Sequence, residues 1–205
     1  MDLSVNCKLV KTDLSVFTKH IIFVQQKKAM DTRERIVDTA SRLFYKQGYN
    51  NTGINQVIKE AEVAKASLYQ HFPSKEDLLI EYLNVTARAT NKTLREIAGK
   101  FEEPKDKILA LFDFLLDYSN INEFNGCNFL NVAAELPQEK GRVKETIRKQ
   151  KNEIRALFEE LLRPINKEYL ADELYILFDA ALISGKVYGD LWPVKTTRKI
   201  VEKLI

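Results

Sequence analysis

Residues 52–75 constrain this chain more than any other stretch: Thr-Gly-Ile-Asn-Gln-Val-Ile-Lys-Glu-Ala-Glu-Val-Ala-Lys-Ala-Ser-Leu-Tyr-Gln-His-Phe-Pro-Ser-Lys. Two short helical segments are separated by a turn of about three residues at Glu62-Val63-Ala64. The second segment, about Lys65–His71, carries small, polar and basic side chains around Leu68, and Pro73 stops it. Neither segment is long enough to be stable alone, so both must pack on a third helix. Such a unit, a helix-turn-helix, lays its second helix in the major groove of DNA with its early residues at base edges.

The supporting helix lies just upstream. Ile36, Ala40, Leu43 and Phe44 fall on one helical face, Asp31 and Glu34 have the spacing of a capping box, and Gly48 supplies a left-handed stop. Helix 2 opens at Thr52 or Gly53 and buries Val57, Ile58 and Ala61. Ser74-Lys75-Glu76-Asp77 caps a long helix 4, about Lys75 to Ala98, with Gly99 as its stop. Pro104 fits the first turn of helix 5, which carries Ile108, Leu111, Phe112, Leu115 and Leu116, and residues 120–126 form a polar turn. Helix 6 is expected over about Asn128–Leu136, helix 7 over about Glu139–Leu162, helix 8 over about Ala171–Gly189, and helix 9 from Pro193 onward. No segment alternates with period two between hairpin signals, so the class is all-α with about nine helices. Residues 30–76 are expected to form the helix-turn-helix head and residues 77–205 a separate helical body. Residues 1–29 lack helical periodicity; they read as a flexible extension or an upstream start before Met30, in preference to the alternative of a basic arm in which Lys27 and Lys28 reach DNA.

Charge distribution separates head from body. Residues 1–75 hold twelve Lys or Arg against seven Asp or Glu, and the remainder twenty against twenty-two. A basic end on a mildly acidic body suits contact with phosphate at one end only, and argues against a protein that coats DNA. Two cysteines, Cys7 and Cys127, give neither a disulfide framework nor a zinc motif, and two histidines, His20 and His71, give no metal site. Reduced thiols fit a cytoplasmic protein. The run Ile21-Ile22-Phe23-Val24 is too short for a signal-peptide core or a membrane span. No Ser-His-Asp or Cys-His set and no Gly-rich phosphate loop is present, so no enzyme and no cofactor is expected. The alternative, a small all-α enzyme or ligand carrier with an incidental helix-turn-helix, would have to rely on a lone carboxylate such as Glu135.

Residues 31–80 closely resemble the head of the TetR (tetracycline-repressor) family of bacterial regulators. The matching positions are Arg35-Ile36-Val37, Leu43-Phe44, Gly48-Tyr49, Thr52, Val57, Val63, Lys65, Ser67-Leu68-Tyr69, His71-Phe72 and Ser74-Lys75-Glu76-Asp77-Leu78-Leu79. Gly126-Cys127-Asn128-Phe129-Leu130-Asn131 is similar to the start of helix 6 in some members. Glu62 and Ile58 depart from the pattern, which commonly has Gly and Ala there; a non-Gly residue at positive φ is costly. The resemblance implies a sequence-specific DNA-binding regulator, commonly a repressor, with double-stranded operator DNA, a second copy of itself and a small-molecule effector as partners.

The resemblance also implies roles for single residues. Lys65, Ala66, Ser67 and Gln70 face base edges, where Lys reads guanine and Gln pairs with adenine. Tyr69 and His71 resemble the family's phosphate-contacting pair, and Thr52 and Lys75, at helix starts, add phosphate contacts. In the body, any single aromatic is more simply a core residue. The resemblance nonetheless implies an apolar cavity walled by Phe112, Leu116, Phe129, Phe158, Tyr175 and Phe178, with Asn128, Asn131 and Glu135 as polar anchors. Small residues on helix 8 allow a close approach between helices. A two-fold interface is therefore expected from Ala181, Ser184, Gly185 and Tyr188 of helix 8 with Ile200, Val201 and Leu204 of helix 9.

Overall fold

The computed structural model describes residues 30–136 and 141–205. The expectations for residues 1–29, including Cys7, His20 and the Lys27-Lys28 arm, and for the first turn of helix 7 lie outside the described residues. Among the described residues nine α-helices and two 3-10 turns are present and no strand.

The head comprises α1 (Thr32–Gln47), α2 (Ile54–Glu60) and α3 (Lys65–His71). Asp31 and Glu34 form the expected reciprocal box: the Asp31 carboxylate accepts from the Glu34 N–H at 2.8 Å, and Glu34 accepts from the Asp31 N–H at 3.2 Å. Two orphan donors of α1 are thereby satisfied. Gly48 ends α1, but not in the left-handed helical conformation expected: φ is +89° and ψ 155°, a region essentially confined to glycine. Ile36, Ala40, Leu43, Phe44, Val57, Leu68 and Phe72 are buried together and fix the three helices. The α2–α3 turn keeps its positive φ even without glycine, with Glu62 at +53°. Left-handed backbone costs an L-residue about 1–2 kcal/mol, which the head core offsets.

α4 (Lys75–Ala98) starts on the Ser74 cap, whose Oγ accepts from the Asp77 N–H at 3.1 Å, and runs 24 residues, about 36 Å. Its first turns bury Leu78, Leu79, Tyr82 and Leu83, while Leu94, Ile97 and Ala98 are buried at its far end. The body adds α5 (Pro104–Ile121), α6 (Asn128–Glu135), α7 (Gly141–Leu162), α8 (Ala171–Tyr188) and α9 (Trp192–Leu204). Pro104 and Pro193 stand in the first turns of α5 and α9, where their missing N–H is harmless. Gly189 ends α8 in the left-handed conformation. Phe112, Phe158 and Phe178 meet with centroids 5.6–6.0 Å apart at the centre of the body. The reversal between α5 and α6 is tightly wound: Glu123, Phe124 and Gly126 all have positive φ.

Candidate functional site

α3 divides cleanly into an inward and an outward face. Leu68 is fully buried, and Lys65, Ala66, Tyr69, Gln70 and His71 are exposed with Ser67 half-exposed. Tyr69 leaves 40% of its surface in solvent, unusual for a ring in so small a head. The helix thus carries donors and acceptors outward and one apolar anchor inward. Its dimensions suit a major groove, and no metal or cofactor is needed to shape it.

The two expected helix-start phosphate ligands behave differently. Thr52 is fully buried, and its hydroxyl donates to the Gly48 carbonyl at 2.7 Å. It closes the α1–α2 turn, so its side chain does not face a phosphate. Lys75 is half-buried; its ammonium donates to the Tyr49 carbonyl at 2.6 Å and lies 4.1 Å from the centre of the Tyr49 ring. The charge thus braces the start of α4 against the α1–α2 turn. Asp77 completes that corner, accepting from Ser74 Oγ and from Arg142 of α7 at 2.9 Å. These bonds, Ser74 foremost, hold its carboxyl below the usual carboxylate range.

A cavity of about 40 Å³ opens between α4, α5, α6, α7 and α8. Of the expected wall, Asn128, Phe129 and Phe178 line it. Phe112 and Phe158 do not: both are completely buried in the aromatic cluster behind it. Leu116 and Tyr175 pack against the core outside the lining. Asn131 and Glu135 are also elsewhere. Asn131 accepts from Lys186 at 2.8 Å and donates to the Asn125 carbonyl at 2.8 Å, while Glu135 reaches the head. In their place stand Thr90, Phe114, Leu115, Tyr118, Cys127, Gln150, Lys151, Ile154, Asp179 and Leu182. Gln150 and Lys151 fall on the same α7 stripe as Val143, Ile147, Ile154 and Phe158. That spacing was the signal that could have found them.

The polar side of this cavity is a buried ion pair. Lys151 Nζ donates to Asp179 Oδ1 at 2.7 Å, with only 10% and 13% of the two side chains exposed. The ammonium also lies 3.4 Å from Cys127 Sγ. Burial opposes the Lys151 charge, but Cys127 and Asp179 outweigh it and its pKa is raised. Beside it, Tyr118 OH meets the Gly126 carbonyl at 3.4 Å and Asn128 Nδ2 at 3.1 Å, and Tyr82 OH donates to Asn128 Oδ1. Burial raises the pKa of Tyr82 and Tyr118 well above normal and that of Tyr45 to about 12, so all three stay neutral donors.

From this polar edge a seam leads directly into the head. Tyr45 OH on α1 donates to the Gly126 carbonyl at 3.1 Å, and Asn125 Nδ2 donates to the Tyr45 carbonyl. The Asn50 backbone N–H donates to Glu135 Oε2 at 2.8 Å, and Asn50 Nδ2 to the Glu135 carbonyl at 2.8 Å. Glu135 approaches so closely that a Cβ at Gly48 would lie 2.9 Å from its Oε1. Local sequence rules could not find these contacts, which join residues about eighty apart in the chain.

Two sequence profiles match: one described as "Bacterial regulatory proteins, tetR family" over residues 36–82, and one as "Tetracyclin repressor-like, C-terminal domain" over residues 104–201. The HTH-type transcriptional regulator LmrA of Bacillus subtilis is 34% identical over 158 residues, covering 76% of this chain and 84% of its own. The chain belongs to the TetR family. Among solved TetR-type structures, a regulator from Streptomyces coelicolor superposes with a TM-score of 0.80 at 25% identity, covering 94% of this chain and 95% of its own. Reduced NemR of Escherichia coli gives 0.75 at 25% identity over 85% and 97%. TetR-family membership makes the chain a helix-turn-helix transcriptional regulator.

The expected interface residues of this TetR-family body split in two. Ala181, Gly185 and Val201 are buried within the subunit, where they pack α8 and α9 on the core and offer little surface to a partner. Gly185 is not needed for close approach, since an added Cβ would make only an ordinary 3.7 Å contact. Ser184 is half-exposed, and Tyr188, Ile200 and Leu204 are exposed. Ile176, Ile183, Val187 and Trp192 of the same two helices are exposed as well. Among the described residues no helix is long and apolar enough to cross a membrane.

Proposed function

We propose that this regulator is a cytoplasmic homodimeric repressor, released from its operator when a small, largely apolar molecule enters the body cavity. In this reading residues 30–76 read DNA, and residues 77–205 bind the effector and dimerise. Lys65, Ala66, Ser67 and Gln70 meet base edges, and Tyr69 and His71 meet phosphates. Lys75 acts on phosphate only as far as it leaves Tyr49. The observation that carries the proposal is the seam from Tyr118 and Gly126 to Tyr45: a change at the cavity edge reaches α1 through hydrogen bonds, without crossing solvent. Repression draws support from NemR, a transcriptional repressor 25% identical over 187 residues. Dimerisation draws support from the exposed stripe Ile176, Ile183 and Val187 on α8 beside Ile200 and Leu204 on α9, which an isolated subunit would leave wet.

A dimer should place its two α3 helices in successive major grooves, about 34–36 Å apart or a multiple of it. The test is a gel shift on DNA from the chain's own promoter. Specific, salt-sensitive binding that a small apolar compound abolishes supports the reading. A monomer at micromolar concentration with undiminished specific binding refutes the dimer, and a shift indifferent to sequence refutes the assigned readout. Linkage requires that the operator weaken effector binding by the same factor that the effector weakens operator binding, a coupling of about 1–3 kcal/mol.

A further inference from the structure

Little in the apolar core fixes how α2 is turned on α1. α2 has seven residues, no side-chain cap at its start and one buried residue of its own, Val57. Ala61 is buried just after it, while Ile54 and Ile58 are only partly buried. So short a helix does not hold itself, and one deep apolar anchor is a pivot about which it can swing. The polar sides of the two helices supply the missing constraint. Arg42 Nη2 donates to Glu60 Oε2 at 2.6 Å, and Gln56 Nε2 donates to Glu60 Oε1 at 2.9 Å. Gln47 and Gln56 exchange bonds: Gln47 Nε2 donates to Gln56 Oε1 at 2.9 Å, and Gln56 Nε2 to Gln47 Oε1 at 3.3 Å. At the end of α1, Asn51 Nδ2 donates to the Gln47 carbonyl at 3.0 Å, and Gln47 Nε2 to the Asn51 carbonyl at 3.2 Å. These bonds form a continuous ladder along the α1–α2 junction, with rungs at Arg42–Glu60 and Gln47–Gln56. One rung fixes a distance, whereas two rungs about a helical turn apart fix a crossing angle.

α3 inherits that angle. The turn between α2 and α3 is short and hydrogen-bonded: the Ala61 N–H donates to the Val57 carbonyl at 2.9 Å, and the Val63 N–H to the Ile58 carbonyl at 3.2 Å. The Arg42 and Glu60 side chains remain 45% and 33% exposed, so their ion pair adds little to stability. Its effect is geometric, because a recognition element has to be held within about 0.5 Å and 10–20° of its productive pose. We infer that Arg42, Gln47, Gln56 and Glu60 are positioning residues for operator recognition: they set the angle at which α2 presents α3 to DNA. The inference rests on the reading of α3 as the groove-facing helix and adds what aims it. The Arg42 guanidinium holds Glu60 rather than a phosphate.

Salt-dependent gel shifts of the full chain, on its own promoter and on unrelated DNA of equal length, test this. Gln56→Leu cuts the ladder at its centre without changing charge. It should lower promoter affinity at least about fivefold, the equivalent of one weakened base contact, and leave affinity for unrelated DNA and Tm nearly unchanged. Gln47→Met cuts the same rung from α1 and serves should the leucine variant fail to fold. The double variant should bind no more weakly than either single one. Glu60→Gln keeps an acceptor for Arg42 and should retain more promoter affinity than Glu60→Leu. Arg42→Met should weaken promoter binding with the salt slope unaltered, whereas loss of a phosphate ligand would reduce that slope by about 0.9. Wild-type promoter affinity in Gln56→Leu and Gln47→Met, additive effects of the two, equal losses on both DNAs, or a reduced slope in Arg42→Met overturns the inference. Lys65→Ala and Gln70→Ala are measured alongside. Base preference unchanged in both refutes the reading of α3 as the groove-facing helix, whatever the ladder variants do.

Discussion

Removing the Asp179 carboxylate should be among the most damaging single changes in the body. Lys151 Nζ sits 2.7 Å from Asp179 Oδ1 with both side chains nearly buried. At an effective dielectric of about 20 their attraction is about 6 kcal/mol, most of it offset by the desolvation of two charges. Asp179→Leu deletes the attraction but leaves the ammonium buried, so the expected loss is about 3–5 kcal/mol. For a chain of this size that lowers Tm by about 6–20 °C. Lys151→Met added to Asp179→Leu removes the stranded charge and should recover most of the loss, giving a strongly non-additive cycle. The measurement is urea denaturation of wild type, both single variants and the double variant. The sign of the pH dependence is also fixed. A lysine whose pKa is raised on folding contributes stability that is complete below its unfolded value and lost only as pH rises through the folded value. The cycle should therefore be flat between about pH 6 and 9. A loss below about 1 kcal/mol, or additive single effects, would mean a solvated pair.

Gly48→Ala should destabilise the protein by about 1–3 kcal/mol through its φ of +89° alone, with a further loss as Glu135 is pushed aside. Thermal denaturation decides it, and Glu135→Ala in the same background should restore only the second part. Glu62→Gly should raise stability by about 0.5–1 kcal/mol, since the left-handed backbone at this exposed turn then costs nothing sterically; unchanged or lower stability in chemical denaturation counts against that. Asp77, held below its usual pKa by Ser74 and Arg142, contributes stability above the ordinary carboxylate range and loses it as pH falls below that range. Asp77→Asn should flatten the acid limb of the stability–pH curve.

Helix ends were legible in the sequence because their causes are local. The Asp31 box, the Ser74 cap, the prolines at the starts of α5 and α9, and Gly189 each act within one turn of themselves. The head core was legible for a related reason, since it is built from one apolar stripe per helix. Cavity membership was not. Phe112 and Phe158 lie behind the cavity in the cluster they form with Phe178, which itself lines the cavity, and residue type does not encode that difference. Gln150 and Lys151 are polar by type, yet their positions on the α7 stripe place them inside. On α8 small size points equally to contact between subunits and to packing within one: Ala181 is fully buried in its own subunit, while a Cβ at Gly185 would meet only an ordinary contact.

The placement of α4 invites the view that it alone links cavity and head, but the energies favour the seam. Its first two turns are anchored by Leu78, Leu79, Tyr82 and Leu83, all essentially buried, each worth about 1.5–3 kcal/mol of apolar burial. Shifting α4 out of that packing exceeds any plausible effector's differential affinity. The seam consists of four hydrogen bonds, from Tyr45, Asn125 and the two donors of Asn50, each worth a net 0.5–1.5 kcal/mol or so. Their combined strength, about 2–6 kcal/mol, is comparable to the 1–3 kcal/mol typical of coupling between sites. The loop that carries Asn125 and Gly126 is also the most strained in the body, with Glu123, Phe124 and Gly126 at positive φ. In the proposed reading a ligand at the cavity edge that tips this loop breaks the seam and frees the α1 end of the head, while α4 keeps its packing.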